Sequence, residues 1–274
     1  PWSVNGSREG ENCEKNGNLA QKLIDLILHK EPKAFLIENV KGLVNKQNRP
    51  YFDKMIMQLE EKFDVYWEVL DCSEYSVPQK RERVFIIGLN KSVKHNGYIF
   101  PEKSQQKVSI KEALKGIPVI PDNINNHQYH IPSMLRNDEK PYAHLIPEGG
   151  CWKQLPCEQM KKDFMKGAYG SSGGKTTYLA VMDLNKQART IMSSPMGKNS
   201  SQIMNLTKYS NTPLEDESAL LRRYTVRESL RLQTVPDTWK FDEDTPLRIQ
   251  YERCSGIPSL ISYKLMKNLA DSLK

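Results

Sequence analysis

Residues 34–43 constrain the fold more than any other stretch, and they read Ala-Phe-Leu-Ile-Glu-Asn-Val-Lys-Gly-Leu. Four apolar or small residues in a row predict a buried strand of a covered parallel sheet. Glu38 and Asn39 follow them directly. Because open α/β sheets bind ligands beyond the carboxyl ends of parallel strands, Glu38 is predicted to face a binding crevice. The alternative is a solvated glutamate in the loop between a strand and a helix.

Apolar periodicity on both sides of this stretch predicts a doubly wound sheet. Helices are predicted over residues 19–29 and 51–62, and strands from residue 34, over 65–70 and over 84–89. The pattern of alternating helices and strands therefore indicates an α/β fold.

Polar side chains alternate just before the last of these strands. The alternation places Gln79, Arg81 and Arg83 on one face as the chain enters the strand. Guanidinium groups suit phosphate and carbonyl oxygens, because arginine offers a rigid and always charged set of donors. The alternative is a charged face at a strand start, paired with Glu82 and Glu74.

A capping box begins a helix near the end of the chain. Thr225 is the predicted N-cap and Glu228 stands three residues later. Arg227 and Arg231 then lie one turn apart on one helix face, and Pro236 is expected to end the helix. These arginines either support the local structure, which we prefer, or contact a ligand.

The region from residue 90 to 215 has a different character. Pro, Gly, Asn and Ser are frequent there, and a short helix is predicted only at 110–114. Its Gly-Gly-Lys-Thr sequence at 173–176 lacks the earlier glycine and the preceding strand of a phosphate-binding P-loop. An irregular, basic, Gly-rich region of this kind can follow a nucleic-acid backbone.

Length and composition limit the possible classes. The 274 residues suffice for one large domain or two modest ones. The 40 Lys and Arg residues exceed the 33 Asp and Glu residues, and the net charge of +7 favours an anionic partner such as nucleic acid. Five cysteines lack the spacing of a metal site, and this odd, unpatterned set indicates a reducing, cytoplasmic setting. No apolar run is long enough to span a bilayer.

Three motifs occur in order: Glu-Asn-Val at 38–40, Gln-x-Arg-x-Arg at 79–83 and Arg-Glu-x-x-Arg-x-Gln at 227–233. Together they resemble motifs of the DNA cytosine-5 methyltransferases, and the resemblance covers the two ends of the chain. It implies a partial doubly wound, Rossmann-like methyltransferase sheet and a smaller, irregular, β-rich recognition domain.

The resemblance also implies a division of the chain. Residues 1–90 would be the C-terminal part of the catalytic domain, and residues 91–215 the target-recognition domain. Residues 216–274 would carry the motif helix and a C-terminal helix, predicted over 257–273, that return to the catalytic domain.

The implied reaction transfers a methyl group from S-adenosylmethionine to C5 of a flipped-out cytosine in double-stranded DNA. Glu38 would hydrogen-bond the N3 edge and exocyclic amine of the base, and Arg83 would face its O2 carbonyl; these two residues are the predicted catalytic pair. Arg81 would hold a nearby phosphate, and Asn39 would hold the loop that presents Glu38. A cysteine thiolate would add to C6.

The remaining predicted site residues rest on the same resemblance. Gln79 belongs to the substrate-binding motif, and Thr190-Ile191 is similar to a Thr-aliphatic pair found late in the recognition region. Ser255, in the turn before Ile257-Pro258, is the predicted cofactor contact, although the usual Gly-Asn of that turn is missing.

The opening Pro1-Trp2-Ser3 is similar to the start of the loop that follows the catalytic Pro-Cys-Gln of the family, and Ser3 is a predicted substrate contact. The resemblance implies that the nucleophilic cysteine and the glycine-rich cofactor loop lie upstream. We therefore expect the chain alone to be catalytically incomplete and to need an N-terminal segment or subunit. Cys13 lacks the flanking Pro and Gln of a nucleophile.

Two other functions are compatible with the sequence. One is a non-catalytic DNA-binding or partner subunit of a split methyltransferase. The other keeps the fold but makes RNA the substrate, which the long region between the matching ends argues against.

Overall fold

The computed structural model describes residues 19–119, 129–130, 133–170, 179–193, 202–207 and 220–274. Ser3 and Cys13 lie outside these residues. The chain divides into two compact units. We call them the sheet unit, which falls within residues 1–75, 81–104 and 261–274, and the second unit, which falls within 76–80 and 105–260.

The sheet unit alternates helices with strands, as the periodicity predicts. Its elements are α1 (Leu19–Lys30), β1 (Ala34–Val40), α2 (Arg49–Glu60), β2 (Phe63–Asp71) and β3 (Glu82–Asn90). Each observed element overlaps its predicted range and differs from it by a few residues at the ends, where helices and strands are least defined by sequence pattern.

The strand order of this sheet is β1-β3-β2, and β3 runs antiparallel to both neighbours. A strand does begin at residue 34, but the prediction that its neighbour in the sheet is parallel was wrong. β1 and β2 do run in the same direction, but β3 lies between them. A continuous apolar run shows only that both faces of a strand are covered; it does not show the direction of its neighbours. Glu38 also lies inside β1 rather than beyond its end.

A compact apolar core fills one face of the sheet. Phe52 stacks edge-on against Trp67, and Phe35 against Phe63. Gly88 is required here, because a Cβ atom at this position would lie 2.1 Å from Cε1 of Phe35. The buried members of this core come from α1, α2, the sheet and the turn after β1: Ile24, Ile27, Phe35, Ile37, Leu43, Phe52, Met55, Ile56, Leu59, Phe63, Val84 and Ile86.

The C-terminal helix, α8 (Ser259–Ser272), belongs to the sheet unit from Ile261 onward. The Tyr98 hydroxyl donates to the Leu265 carbonyl over 3.3 Å, and the Asn268 amide donates to the Ile99 carbonyl over 2.9 Å. These bonds attach the segment after β3 to α8.

The second unit combines short helices with a small sheet. The helices are α3 (Ile110–Ala113), α4 (Lys140–Ala143), α5 (Glu158–Met165), α6 (Val226–Leu232) and α7 (Leu247–Arg253). The strands are β4 (Ala180–Val181), β5 (Gln202–Asn205) and β6 (Leu221–Arg223), with β5 parallel to β4 and antiparallel to β6. This unit has its own apolar core, which includes Trp152, Phe164, Val181, Ile203, Tyr224 and Tyr251.

The boundaries of the two units differ from those expected from the resemblance. Residues 91–104 lie in the sheet unit, and the motif helix α6 lies in the second unit. The functional roles assigned to those ranges stay predictions. Among the described helices, none has the length and apolar content to cross a membrane.

Candidate active site

Glu38 and Arg83 form an ion pair on neighbouring strands of the sheet unit. In the β1–β3 register Glu38 lies opposite Phe85 and Val40 opposite Arg83, so the two charged residues are diagonal neighbours on one face. Arg83 Nε lies 2.9 Å from Glu38 Oε1, and the side chains are 15% and 23% exposed. Both groups are therefore shielded from bulk water yet accessible to a ligand.

Arg81 adds a second guanidinium beside this pair. The residue is buried, and its backbone is fixed because its carbonyl accepts from the Cys72 amide at 2.9 Å and its amide donates to Asp71 Oδ1 at 3.3 Å. Burial, together with the nearby Arg83 charge, lowers the pKa of Arg81 to about 10, and Glu38 opposes the shift. Two guanidiniums and the Glu38 carboxylate thus lie close together at this end of the sheet, where the Asp71 carboxylate is also found.

Asn39 follows Glu38 on the strand and supports the backbone there. Its Oδ1 accepts from the Val40 amide at 2.8 Å, just before the 3₁₀ turn Lys41–Val44. This bond fixes the peptide after Glu38, and the role of Asn39 in presenting Glu38 stays a prediction.

Two of the described cysteines, Cys72 and Cys254, are poor candidates for a nucleophile. Burial raises the pKa of Cys72 to about 11, although Arg81 opposes the shift, and burial raises the pKa of Cys254 to about 12. Cys151 is also buried, and Cys157 is exposed. Because the thiolate is the reacting species, thiols with such raised pKa values are weak nucleophiles at neutral pH.

Gln79 is placed differently from its prediction as a substrate contact. Its side chain is completely buried in the second unit, where Oε1 accepts from the Ile191 amide at 2.9 Å and Nε2 donates to the Leu232 carbonyl at 3.4 Å. The amide is occupied by backbone groups and is not presented to a ligand. Strand alternation misplaced it, because β3 begins only at Glu82, and Gln79 lies before that strand in an isolated bridge to Ala188.

Thr190 lies near Gln79 in the same unit. Its hydroxyl donates to the Lys80 carbonyl at 3.0 Å, and its side chain remains accessible. The turn at residues 78–80 is thus bonded to the segment that carries the Thr-Ile pair.

The capping box predicted at Thr225 and Glu228 is confirmed, with both reciprocal bonds present. Arg231 forms an ion pair with Asp237, and Arg227 lies over the Tyr129 ring at 5.4 Å. Both arginines therefore have structural partners, as the preferred interpretation held.

Sequence inspection missed two buried arginines that precede this helix. Arg222 forms a two-point ion pair with Glu228, with both nitrogen–oxygen distances 2.8 Å, and Arg223 pairs with Glu139 at 2.5 Å. The second pair joins residues 84 positions apart, and no local pattern signals it.

Ser255 lies in the turn between α7 and α8. Its hydroxyl donates to the Glu252 carbonyl at 2.7 Å, and the neighbouring Cys254 carbonyl accepts from the Gln233 amide at 2.5 Å. The turn is tied to the end of the motif helix, but its hydroxyl already has a backbone partner. Among the described residues, no cluster of His, Cys, Asp or Glu could hold a metal ion.

The mixed α/β units with small sheets are similar in fold to solved methyltransferase structures. The crystal structure of S. pombe Dnmt2 methyltransferase is similar over 94% of this chain and 73% of that chain, with a TM-score of 0.60 and 12% identity. This likeness confirms the predicted fold class.

The family model of C-5 cytosine-specific DNA methylases matches residues 1–272, and the chain belongs to that family. Type II methyltransferase M.Sau96I of Staphylococcus aureus is 31% identical over 88% of this chain and 51% of its own length. Type II methyltransferase M.PspPI of Psychrobacter sp. (strain TA137) is 28% identical over 88% of this chain and 54% of its own. The chain thus spans about half the length of these curated relatives.

Proposed function

We propose that this chain binds the target cytosine and the surrounding duplex in a DNA cytosine-5 methyltransferase that transfers a methyl group from S-adenosylmethionine to C5. The observation that carries the proposal is the Glu38–Arg83 pair, held at 2.9 Å on two adjacent strands and partly accessible. Family membership supports the reaction class.

The pair has the chemistry that a flipped-out cytosine requires. The Glu38 carboxyl bonds the N3 edge and the exocyclic amine, and Arg83 donates to the O2 carbonyl. When a nucleophile adds to C6, negative charge develops on N3 and O2, and groups already oriented toward those atoms stabilise it. Arg83 is held for this role by Glu38 and by a bond from its Nη1 to the Glu82 carbonyl at 2.8 Å.

Arg81 and Asn39 support this pair. The buried Arg81 charge is available to attract the phosphate beside the flipped base. Arg81 is proposed to bind this phosphate. Because the residue is buried, only the edge of its guanidinium can make the contact. Asn39 fixes the peptide after Glu38 and so limits how far the carboxyl can move.

The described residues provide little of a methyl-donor site. Ser255 is the one predicted contact, and its hydroxyl is already bonded to Glu252. A Cβ atom at the neighbouring Gly256 would meet no atom within 4 Å, so the turn forms no cradle by itself. S-adenosylmethionine is therefore proposed as the methyl donor from family membership alone.

Recognition of the DNA target sequence is proposed for the region within residues 91–215, where Thr190 is the predicted substrate contact. Its irregular chain offers Lys, Asn, Gln and Ser side chains, which can reach base edges. The need for an N-terminal segment or subunit stays a prediction. A second function, a non-catalytic DNA-binding or partner subunit of a split methyltransferase, stays an alternative prediction.

The test is methyl transfer by the native protein, with whatever sequence its gene joins to this chain, onto genomic duplex DNA from a labelled methyl donor. We expect Glu38→Gln to slow single-turnover methylation by about 10²–10⁴-fold while DNA affinity is unchanged, because glutamine keeps the size but cannot transfer a proton. The matched control is Glu82→Gln, which likewise removes a strand carboxylate, in this case from β3. Glu82 pairs with Lys41 and lies on the opposite face of the strand from Arg83.

Glu38→Gln with near wild-type methylation would reject the assigned role of Glu38. A native protein that binds duplex DNA but transfers no methyl group would favour the non-catalytic function.

A further inference from the structure

Residues 188–191 of the second unit are held by an unusual set of bonds, and we call them the 188–191 segment. On one side, the Ala188 amide donates to the Pro78 carbonyl at 2.9 Å and the Ala188 carbonyl accepts from the Lys80 amide at 2.8 Å. This is a short parallel bridge centred on Gln79 and Ala188. The bridge fixes where the segment begins.

The next residues of the segment are held by a side chain rather than by a strand. Gln202 Oε1 accepts from the Arg189 amide at 3.0 Å. Gln202 Nε2 donates to the carbonyls of Arg189 at 3.1 Å and Thr190 at 3.2 Å. One primary amide therefore satisfies three backbone groups, as an adjacent strand would do.

Gln202 is itself firmly anchored. It is 7% exposed and is the first residue of β5, where its backbone position pairs with Ala180 of β4. Its side chain thus connects a packed sheet to the 188–191 segment. Gln79 holds the other end of the segment, because its Oε1 accepts from the Ile191 amide.

These three hydrogen bonds require a glutamine side chain at position 202. A carboxylate of the same length would keep the bond from Arg189 N–H but would place an anion against two carbonyl oxygens. A methionine would fill the same space and satisfy none of the three groups, which are costly to leave unpaired when buried. The segment leads directly to Met192, whose side chain is exposed.

We propose that Gln202 is a positioning residue for DNA target reading: its amide sets the peptide planes of Arg189 and Thr190 and so aims the side chains of Thr190 and Met192 at the duplex. The proposal rests on the proposed function, in which this region reads the DNA sequence. Gln79 acts with Gln202 from the opposite end of the segment.

The experiment selects bound sequences from a random duplex library with the native protein and with Gln202→Met and Gln202→Glu. Both variants should lose at least about tenfold in preference for the wild-type target over its single-base variants, since one good base contact discriminates by about 1–3 kcal/mol. KM for target DNA should rise in both, while kcat at saturating DNA stays unchanged.

Gln250→Met is the matched control, because the Gln250 amide also donates to a backbone carbonyl of the second unit, that of Thr245 at 2.8 Å, away from the segment. It should lower thermal stability without changing site preference. Hydrogen exchange across residues 179–193 checks that each variant is folded. If Gln202→Met does not fold, Gln202→Glu still tests the inference.

Folded Gln202 variants with wild-type site preference and KM would overturn the inference and leave the methyltransferase proposal standing. A wild-type protein that methylates DNA without selecting any sequence would also overturn the inference alone. A wild-type protein that neither binds nor methylates duplex DNA would overturn both.

Discussion

Replacing Glu228 by glutamine removes the charge that faces a completely buried guanidinium. The Arg222 side chain has 0% exposure and that of Glu228 has 3%. Glu228 also accepts from the Thr225 amide at 2.7 Å as part of the capping box. Glutamine at this capping position can keep that bond through its amide oxygen, so the substitution acts mainly on Arg222: it removes the facing charge and turns an NH2 group toward Arg222 Nη2.

The magnitude follows from what remains around Arg222. Removing one partner of a buried ion pair costs about 3–5 kcal/mol, because the other charge is left uncompensated. Arg222 still donates to the carbonyls of Arg223 at 3.0 Å and Val119 at 3.1 Å. These carbonyls still stabilise part of the Arg222 charge, so we expect a cost at the lower end of that range, about 3 kcal/mol. This cost corresponds to roughly a 150-fold increase in the equilibrium constant for local opening around Arg222.

Hydrogen exchange is the appropriate assay, because a chain with two compact units is not expected to unfold in one transition. Peptides that cover residues 220–233 should exchange faster in Glu228→Gln by that factor, while those of β1 and β3 stay unchanged. The matched control is Glu112→Gln in α3, where Ser109 and Glu112 form the same capping box without an arginine. Its own helix should exchange at nearly the wild-type rate.

Equal exchange in the two variants would refute the reasoning. It would mean that the carbonyls around Arg222 suffice to stabilise its charge and that the ion pair with Glu228 adds nothing.

Three further predictions concern the sheet unit. Gly88→Ala should lower the free energy of unfolding of the sheet unit by about 1–3 kcal/mol, measured from the transition of that unit in a urea titration, because the added Cβ meets the Phe35 ring, and Phe35→Leu in the same chain should restore part of the loss. The free energy of unfolding of the sheet unit should fall as pH rises from 9 toward 11, because the unfolded Cys72 thiol ionises near 9 while the folded one, with a pKa of about 11, stays neutral; Cys72→Ala should weaken this dependence in parallel titrations. Arg81→Ala should weaken binding to all duplex sequences by similar factors and flatten the salt dependence, measured by fluorescence anisotropy; a changed site preference would contradict its assignment to the phosphate.

Local features of the fold could be predicted because they depend on near neighbours in sequence. The spacing of apolar residues located α1, α2 and the three strands of the sheet unit, and the pattern Thr-x-x-Glu located the start of α6. Each of these signals extends over one or two turns or one strand, so tertiary packing had little scope to change it.

Pairing across long separations could not be predicted in this way. The apolar run before Glu38 looked the same for parallel and antiparallel neighbours, and only the observed register placed Arg83 diagonally beside it. Gln79 was grouped with Arg81 and Arg83 by alternation, yet it lies before the strand, buried against Ile191 and Leu232.

The sequence by itself determined the family, through three short motifs, and it supplied the candidate site residues Glu38 and Arg83. Only the tertiary structure decided that these two form an ion pair, that Arg222 is buried against Glu228, and that Gln202 holds residues 188–191. The reason is physical: a buried charge or amide must find its partner wherever the fold brings one, and that partner has no fixed distance along the chain.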